Sequence, residues 1–361
     1  MASSTSMDER AIRMDIRPRL ADRAAEKVTD HGGSLVRASA QFPDAPTPWL
    51  DLSTGINPHP YPFSPLPASA VERLPEEADI AALTAHAARH YGAPSAANVI
   101  AAPGTQLLLP LVASLLAPGP ARILGPTYAE HARAAALAGH TVEEVESFDA
   151  LRGARLAVVV NPNNPDGRLI GRSDLLDLAT SMRADGGVLV VDEAFMDVGP
   201  QAESLAGDLE AGNILVLRSF GKFFGLAGLR LGFALTSTER AQKLSGWLGP
   251  WAVAGPALHA GLEALADHGW QSAMRQRLET ERLRLDALFH EKGLTIAGGT
   301  DLFRFLRHPR AADLFDHLGR SGILVRRFAG RPDCLRIGLP GDDEAFERVR
   351  AALQSRDGGG A

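Results

Sequence analysis

Two hydrophobic rhythms alternate along most of the chain. Short runs rich in Val, Leu, Ile and Ala fall at 98–101, 121–124, 156–160, 188–191, 214–217 and 229–235, and those at 156–160, 188–191 and 214–217 hold no polar residue at all. Unbroken runs of that length read as strands buried on both faces. Between them, apolar residues recur every three or four positions over 78–90, 105–116, 131–138 and 173–183, the spacing of a helix with one buried side. Tyr91-Gly92 closes the first of these helices, and Ser173 is placed to cap the last. Alternation of this kind predicts an α/β domain whose largely parallel sheet is covered by helices.

The rhythm changes toward the C-terminus. A helical pattern over 256–292 is too long for one compact helix without a bend. Strand-like segments at 303–305, 323–326 and 334–337, with helices near 311–318 and 343–354, then predict a smaller α+β domain. Near the other end, prolines crowd the stretch from Pro43 to Pro67, which favours extended connector over helix, apart from a short strand-like WLDLS. Residues 1 to 30 are expected to form a loosely docked arm, and Gly358–Gly360 a disordered tail.

Composition narrows the class. The 361 residues carry 37 Lys and Arg against 43 Asp and Glu, a net charge of −6, which excludes a polycationic nucleic-acid binder. The longest apolar stretch, Leu107 to Ala117, contains Pro110 and is far short of the roughly 20 residues that a bilayer span needs, so no membrane contact is expected. The N-terminal residues lack the apolar core of a secretory signal. Cys334 is the one cysteine, which rules out an internal disulfide and a multi-thiolate metal site and suits a small buried hydrophobe in a strand. A cytoplasmic protein without a metal centre is expected.

Chemistry concentrates just after the buried runs. Residues 158–160 lead into NPNNPDG (Asn161–Gly167), 188–191 into Asp192-Glu193, and 214–217 into RSFGKFFGLAGLRLG (Arg218–Gly232). Ligands of open α/β sheets bind beyond the carboxyl ends of the strands, where these residues fall. Each has a plainer reading alone: an Asn-Pro turn, a helix-capping Asp, a solvated surface lysine. Together, a carboxylate for a pyridine nitrogen and a lysine for an aldehyde are what pyridoxal phosphate requires. Gly104, Thr105 and Gln106, between a strand and a helix, could receive a phosphate on free N–H groups. Ser219 and Arg230 could add a hydroxyl and a guanidinium, and Tyr128 either stacks on the ring or simply packs.

These motifs, with VVDEAF and PTY, resemble the fold-type I, aspartate-aminotransferase-like pyridoxal phosphate enzymes, in family order from about His31 onward. The resemblance implies a large domain with a mostly parallel seven-stranded sheet and a small α+β domain. It divides the chain into an arm with part of the small domain (1–52), a cofactor-binding domain (53–250), and an interdomain helix with the remaining small domain (251–361). It implies that Lys222 is the Schiff-base lysine, Asp192 the partner of the pyridine nitrogen, and Asn164 that of the ring hydroxyl. Tyr128 would stack on the ring, and Gly104, Thr105, Gln106, Ser219 and Arg230 would cup the phosphate. Arg336, in LRIGLP, would bind a substrate α-carboxylate.

Within that group the chain is similar to the threonine-phosphate decarboxylases of cobalamin synthesis and to the histidinol-phosphate aminotransferases. HGG (His31–Gly33), DLSTGINP (Asp51–Pro58), Phe195 in DEAFMD, and GILVRR (Gly322–Arg327) favour the decarboxylases. That implies a homodimer acting on a phosphorylated amino acid, with His31 and Asn57 at the substrate and Arg326 or Arg327 at its phosphate. Strand alternation lets only one of that arginine pair face the site. His31 can equally be an exposed residue before a Gly-Gly turn. Two positions depart from the pattern: Ser34 replaces an asparagine, and Leu74 replaces a tyrosine that reaches a phosphate in the neighbouring subunit.

Overall fold

Strand β1 (Leu50–Asp51) stands apart from the main sheet. The main sheet holds β2 (Val99–Ala102), β3 (Pro120–Leu124), β4 (Thr141–Val145), β5 (Leu156–Val160), β6 (Val188–Asp192), β7 (Ile214–Ser219) and β8 (Gly232–Thr236). Their spatial order is β2-β8-β7-β6-β5-β3-β4, with only β8 antiparallel to its neighbours. The computed structural model describes residues 31–357, so the expected arm and glycine tail lie outside the described residues.

Period-two burial explains the unbroken runs. Ala157, Val159, Leu189 and Val191 pack into one apolar core, whereas Leu156, Val158, Val188 and Val190 pack into a second core on the opposite face. At roughly 1.5–3 kcal/mol for each large side chain buried, these two layers dominate the stability of the sheet.

Two strands escape the sequence reading, β4 and β9 (Thr295–Thr300). Both are edge strands with exposed or half-buried residues, so their TVEEV and TIAGGT sequences lack an apolar run. Strand β9 belongs to the second sheet with β10 (Phe303–Arg307), β12 (Arg326–Phe328) and β13 (Arg331–Gly338), ordered β12-β13-β10-β9 and antiparallel throughout. The run expected at 323–326 is split, because β11 (Ile323–Leu324) pairs with β1 rather than with β13. That pairing ties the chain before residue 52 to its C-terminal part.

Other expectations need correction. The helix expected over 173–183 begins at Arg172 after Gly171, and Ser173 does not cap it; the Arg172 amide donates to Glu203 instead, at 2.6 Å. The strand expected at 229 starts only at Gly232, since Ala227–Leu229 form a 3₁₀ turn and Arg230 adopts φ +54°. The long helical stretch does break, at Asp267, whose Oδ1 accepts from the Trp270 amide at 2.9 Å and starts the helix His268–Glu291. The Gly92 stop holds, with φ +78°. Residues 56–68 carry neither helix nor strand, as their prolines dictate.

Candidate active site

A cavity of about 590 Å³ lies where the carboxyl ends of β5, β6 and β7 face the β12–β13 hairpin. Strand register brings its chemistry together: Val160 pairs with Asp192, and Asp192 with Leu217, two residues before Ser219. Of the residues expected at the cofactor or substrate, all line this cavity except Asn57 and one of the Arg326/Arg327 pair.

At its floor stands Asp192, buried, with Oδ2 2.8 Å from His131 Nε2 and Oδ1 accepting from the Ala194 amide at 3.1 Å. Opposite, Lys222 sits on the short helix Phe220–Phe223 that follows β7, its ammonium 3.5 Å from the Thr54 carbonyl and over the Phe195 ring. Burial, with Arg336 and Arg230 nearby, pushes its pKa down to about 8 against the opposing pull of Asp192. A lysine near 8 is a usable nucleophile and base at neutral pH.

One end of the cavity is built for an anion. Gly104, at φ +80°, precedes the helix Thr105–Ala113, whose first N–H groups have no acceptor within the helix. Arg230 packs against it so closely that a Cβ on Gly104 would lie 2.6 Å from Nη2. Ser219 and Thr105 line the same end. Gln106 lines it too, but its side chain is engaged laterally: Nε2 donates to Glu130 at 2.8 Å, and Oε1 accepts from the Tyr128 hydroxyl at 3.0 Å. Burial, Glu130 and Asp192 push the Tyr128 pKa up to about 12, so its hydroxyl stays a donor.

The other end carries more positive charge. Arg336, buried on β13, donates from Nη1 to Asn164 Oδ1 at 2.6 Å and from Nη2 to the Ser53 carbonyl at 2.7 Å, while Nε has no partner. Burial, then Arg326, lower its pKa to about 9, still above neutral. Arg326 is the cross-strand partner of Arg336 and lines the cavity. Arg327 points away, onto the Phe315 ring, as alternation requires.

His31 lines the cavity, its Nε2 3.3 Å from Glu130 and its ring beside Tyr128. Asn57 does not. It is 2 % exposed, and its side chain is consumed within the protein: Nδ2 donates to the Phe223 carbonyl at 2.7 Å and Oδ1 accepts from the His59 amide at 2.9 Å. Its own amide donates to the Lys222 carbonyl at 3.0 Å, so Asn57 braces the lysine segment instead of meeting substrate. Leu74 is 63 % exposed and outside the cavity. Glu130, His131 and Arg331 belong to the site or its supports without having been expected there; the first two follow PTY by two and three positions, the only local hint.

The donor set fits pyridoxal phosphate: an amine of lowered pKa faces a braced carboxylate, and a glycine-lined helix start with one arginine receives a phosphate. The group of residues that would hold it is Lys222, Asp192, Asn164, Tyr128, Thr105, Ser219 and Arg230.

Comparison with known proteins agrees. The family model for aminotransferase class I and II matches residues 70–353. A threonine-phosphate decarboxylase of Pseudomonas aeruginosa is 43% identical over 327 residues, covering 90% of this chain and 97% of that protein. A histidinol-phosphate aminotransferase of Pectobacterium carotovorum is 30% identical over 374 residues, covering 97% and 98%. The crystal structure of histidinol-phosphate aminotransferase from Sinorhizobium meliloti with pyridoxal-5'-phosphate superimposes with a TM-score of 0.75 at 20% identity, covering 98% of this chain and all of that one, a likeness of fold.

Proposed function

Because the chain belongs to the class I and II aminotransferase family, we propose that it is a pyridoxal phosphate-dependent enzyme that decarboxylates L-threonine O-3-phosphate to (R)-1-amino-2-propanol O-2-phosphate. The observation that carries this reading is the charge of the cavity: Lys222, Arg230, Arg326, Arg331 and Arg336 face it, against Asp192 as the one carboxylate among the described lining residues. A cofactor phosphate beside Arg230 and an α-carboxylate on Arg336 leave Arg331 at the hairpin end with no ion pair among the described residues. A substrate that carries its own phosphate supplies the missing anion.

Bound in this cavity, the cofactor supplies an electron sink for a bond breaking at the substrate Cα. Asp192, fixed by His131, favours a proton on the ring nitrogen. Lys222 would hold the cofactor through its aldehyde and, with its pKa pushed down to about 8, would be the group placed to supply a proton to the substrate Cα. Arg336, already anchored to Asn164 and to the Ser53 carbonyl, holds the carboxylate in a fixed direction. The 43% identity to a threonine-phosphate decarboxylase, against 30% to the aminotransferase, supports carbon dioxide loss over amino transfer.

The reading includes a homodimer in the cytoplasm. Exposed Val71, Leu74 and Trp251 are apolar side chains that a second copy would cover, and no described helix is long and apolar enough to cross a membrane. Offering the enzyme L-threonine O-3-phosphate and L-histidinol phosphate in parallel tests the substrate. Turnover of the first alone is expected; amino transfer from the second would move the assignment to an aminotransferase.

A further inference from the structure

A third arginine of the hairpin faces the cavity, and neither its motif nor its spacing drew attention to it. Arg331 opens β13 directly after the Ala329-Gly330 turn. Pairing between β12 and β13 runs regularly from Arg326↔Arg336 to Arg327↔Leu335, then jumps to Phe328↔Arg331. Pro332, Asp333 and Cys334 thus bulge out of that ladder, and a bulge redirects the side chains beside it.

The redirected guanidinium sits over the Phe305 ring, 5.5 Å from its centre. Its Nη1 is closed off from solvent and has no hydrogen-bond partner, and no ion pair holds Arg331 among the described residues. Asp333, the nearest carboxylate in sequence, is bonded to Arg307 instead, at 2.8 Å. A buried cationic donor left without an acceptor is costly unless a ligand provides one. Arg230 is bonded to the Ala227 carbonyl, and Arg336, whose Nε is likewise unpartnered, is anchored through both Nη atoms to Asn164 and the Ser53 carbonyl, whereas Arg331 has no such anchor among the described residues.

We propose that Arg331 is a specificity-determining residue which, together with Arg326 across the hairpin, grips the dianionic phosphate of the substrate. The inference deepens the function proposed above and rests on it for the identity of the phosphorylated molecule. Two guanidinium groups on one phosphate favour a dianion over a neutral hydroxyl or a single carboxylate.

The test uses the cofactor-loaded enzyme and inorganic phosphate as probe, because the cofactor's own phosphate already fills the Arg230 end. Calorimetry measures phosphate binding without turnover, and inhibition by phosphate is measured against L-threonine O-3-phosphate. R331M, which keeps the apolar contact with Phe305, should bind phosphate about 10- to 100-fold more weakly, the loss expected for charge-assisted hydrogen bonds. KM for the phosphorylated substrate should rise far more than kcat falls, and cofactor content should stay that of the wild type. If R331M fails to fold, R331Q is measured in its place with the same expectation. Wild-type phosphate affinity in the folded variant overturns the proposal. Arg331-dependent phosphate binding in an enzyme that releases no carbon dioxide would refute the proposed reaction and leave this inference standing.

Discussion

His131 Nε2 lies 2.8 Å from Asp192 Oδ2, and both residues are buried. The histidine comes from the helix Glu130–Leu137 and the carboxylate from the end of β6, so the position of Asp192 is set by an element on another part of the sheet. His131→Leu leaves Asp192 with the Ala194 amide as its remaining partner. Loss of a hydrogen bond to a charged group, about 1.5–3 kcal/mol, should weaken cofactor binding by roughly 10-fold or more. Titrating the cofactor-free variant checks this; an unchanged Kd would show that His131 does not brace the carboxylate.

Lys222 should make cofactor capture pH-dependent in an unusual range. With its pKa pushed down to about 8, the association rate should climb as pH rises through 8, not through the 10.5 of an ordinary lysine. The same shift has a sign for stability. Between pH 8 and 10.5 the unfolded chain holds the proton that the folded one has released, so the contribution of this group to stability grows over that window. The full change is roughly 3 kcal/mol in the cofactor-free protein. Lys222→Met should remove that part of the pH dependence; denaturation curves of the two proteins with parallel slopes against pH would contradict it.

Gly104→Ala tests the anion end without touching any charge. The new Cβ meets the Arg230 guanidinium at 2.6 Å, on a backbone whose φ of +80° already disfavours a side chain. Arg230 must swing away, and cofactor affinity should fall by at least about 10-fold, as for loss of one charged hydrogen bond. Equilibrium dialysis of the variant measures it, and wild-type affinity would remove Arg230 from the cradle.

How much of this is legible in the sequence depends on burial. Strands β5, β6 and β7 announce themselves because both faces are covered, and the polar residues at their ends then stand out. Edge strands β4 and β9 do not, since half of each meets solvent. Asn57 reads as a pocket residue from its motif, yet its amide is spent on Phe223 and His59, a long-range pairing that no local pattern encodes. His131 is hidden for the same reason: helical spacing says which face is buried, not which carboxylate lies beneath it. Arg331 depends on a register jump in the hairpin, and only the Ala-Gly turn before it hints at one.

Below the site, Arg218 and Glu193 form an ion pair at 3.2 Å that is almost wholly out of solvent. Burial raises the Glu193 pKa, and Arg218 with Ser204 and Leu205 pulls it back. Arg218→Met strands the carboxylate and should cost about 3–5 kcal/mol. Adding Glu193→Gln should restore part of that loss. Urea denaturation of the single and double variants checks the pair, and equal midpoints for the Arg218→Met variant and the wild type would mean that the pair carries no net stability.

Carbon dioxide release bears most directly on the proposed reaction. Purified, cofactor-loaded enzyme is given L-threonine O-3-phosphate without any keto acid, and evolved carbon dioxide is followed over many turnovers. Sustained release is the predicted result, because a decarboxylase regenerates its cofactor without a second substrate. No release, with the cofactor converted to pyridoxamine phosphate when amino-acid donors are supplied, would contradict it and identify an aminotransferase built on the same site.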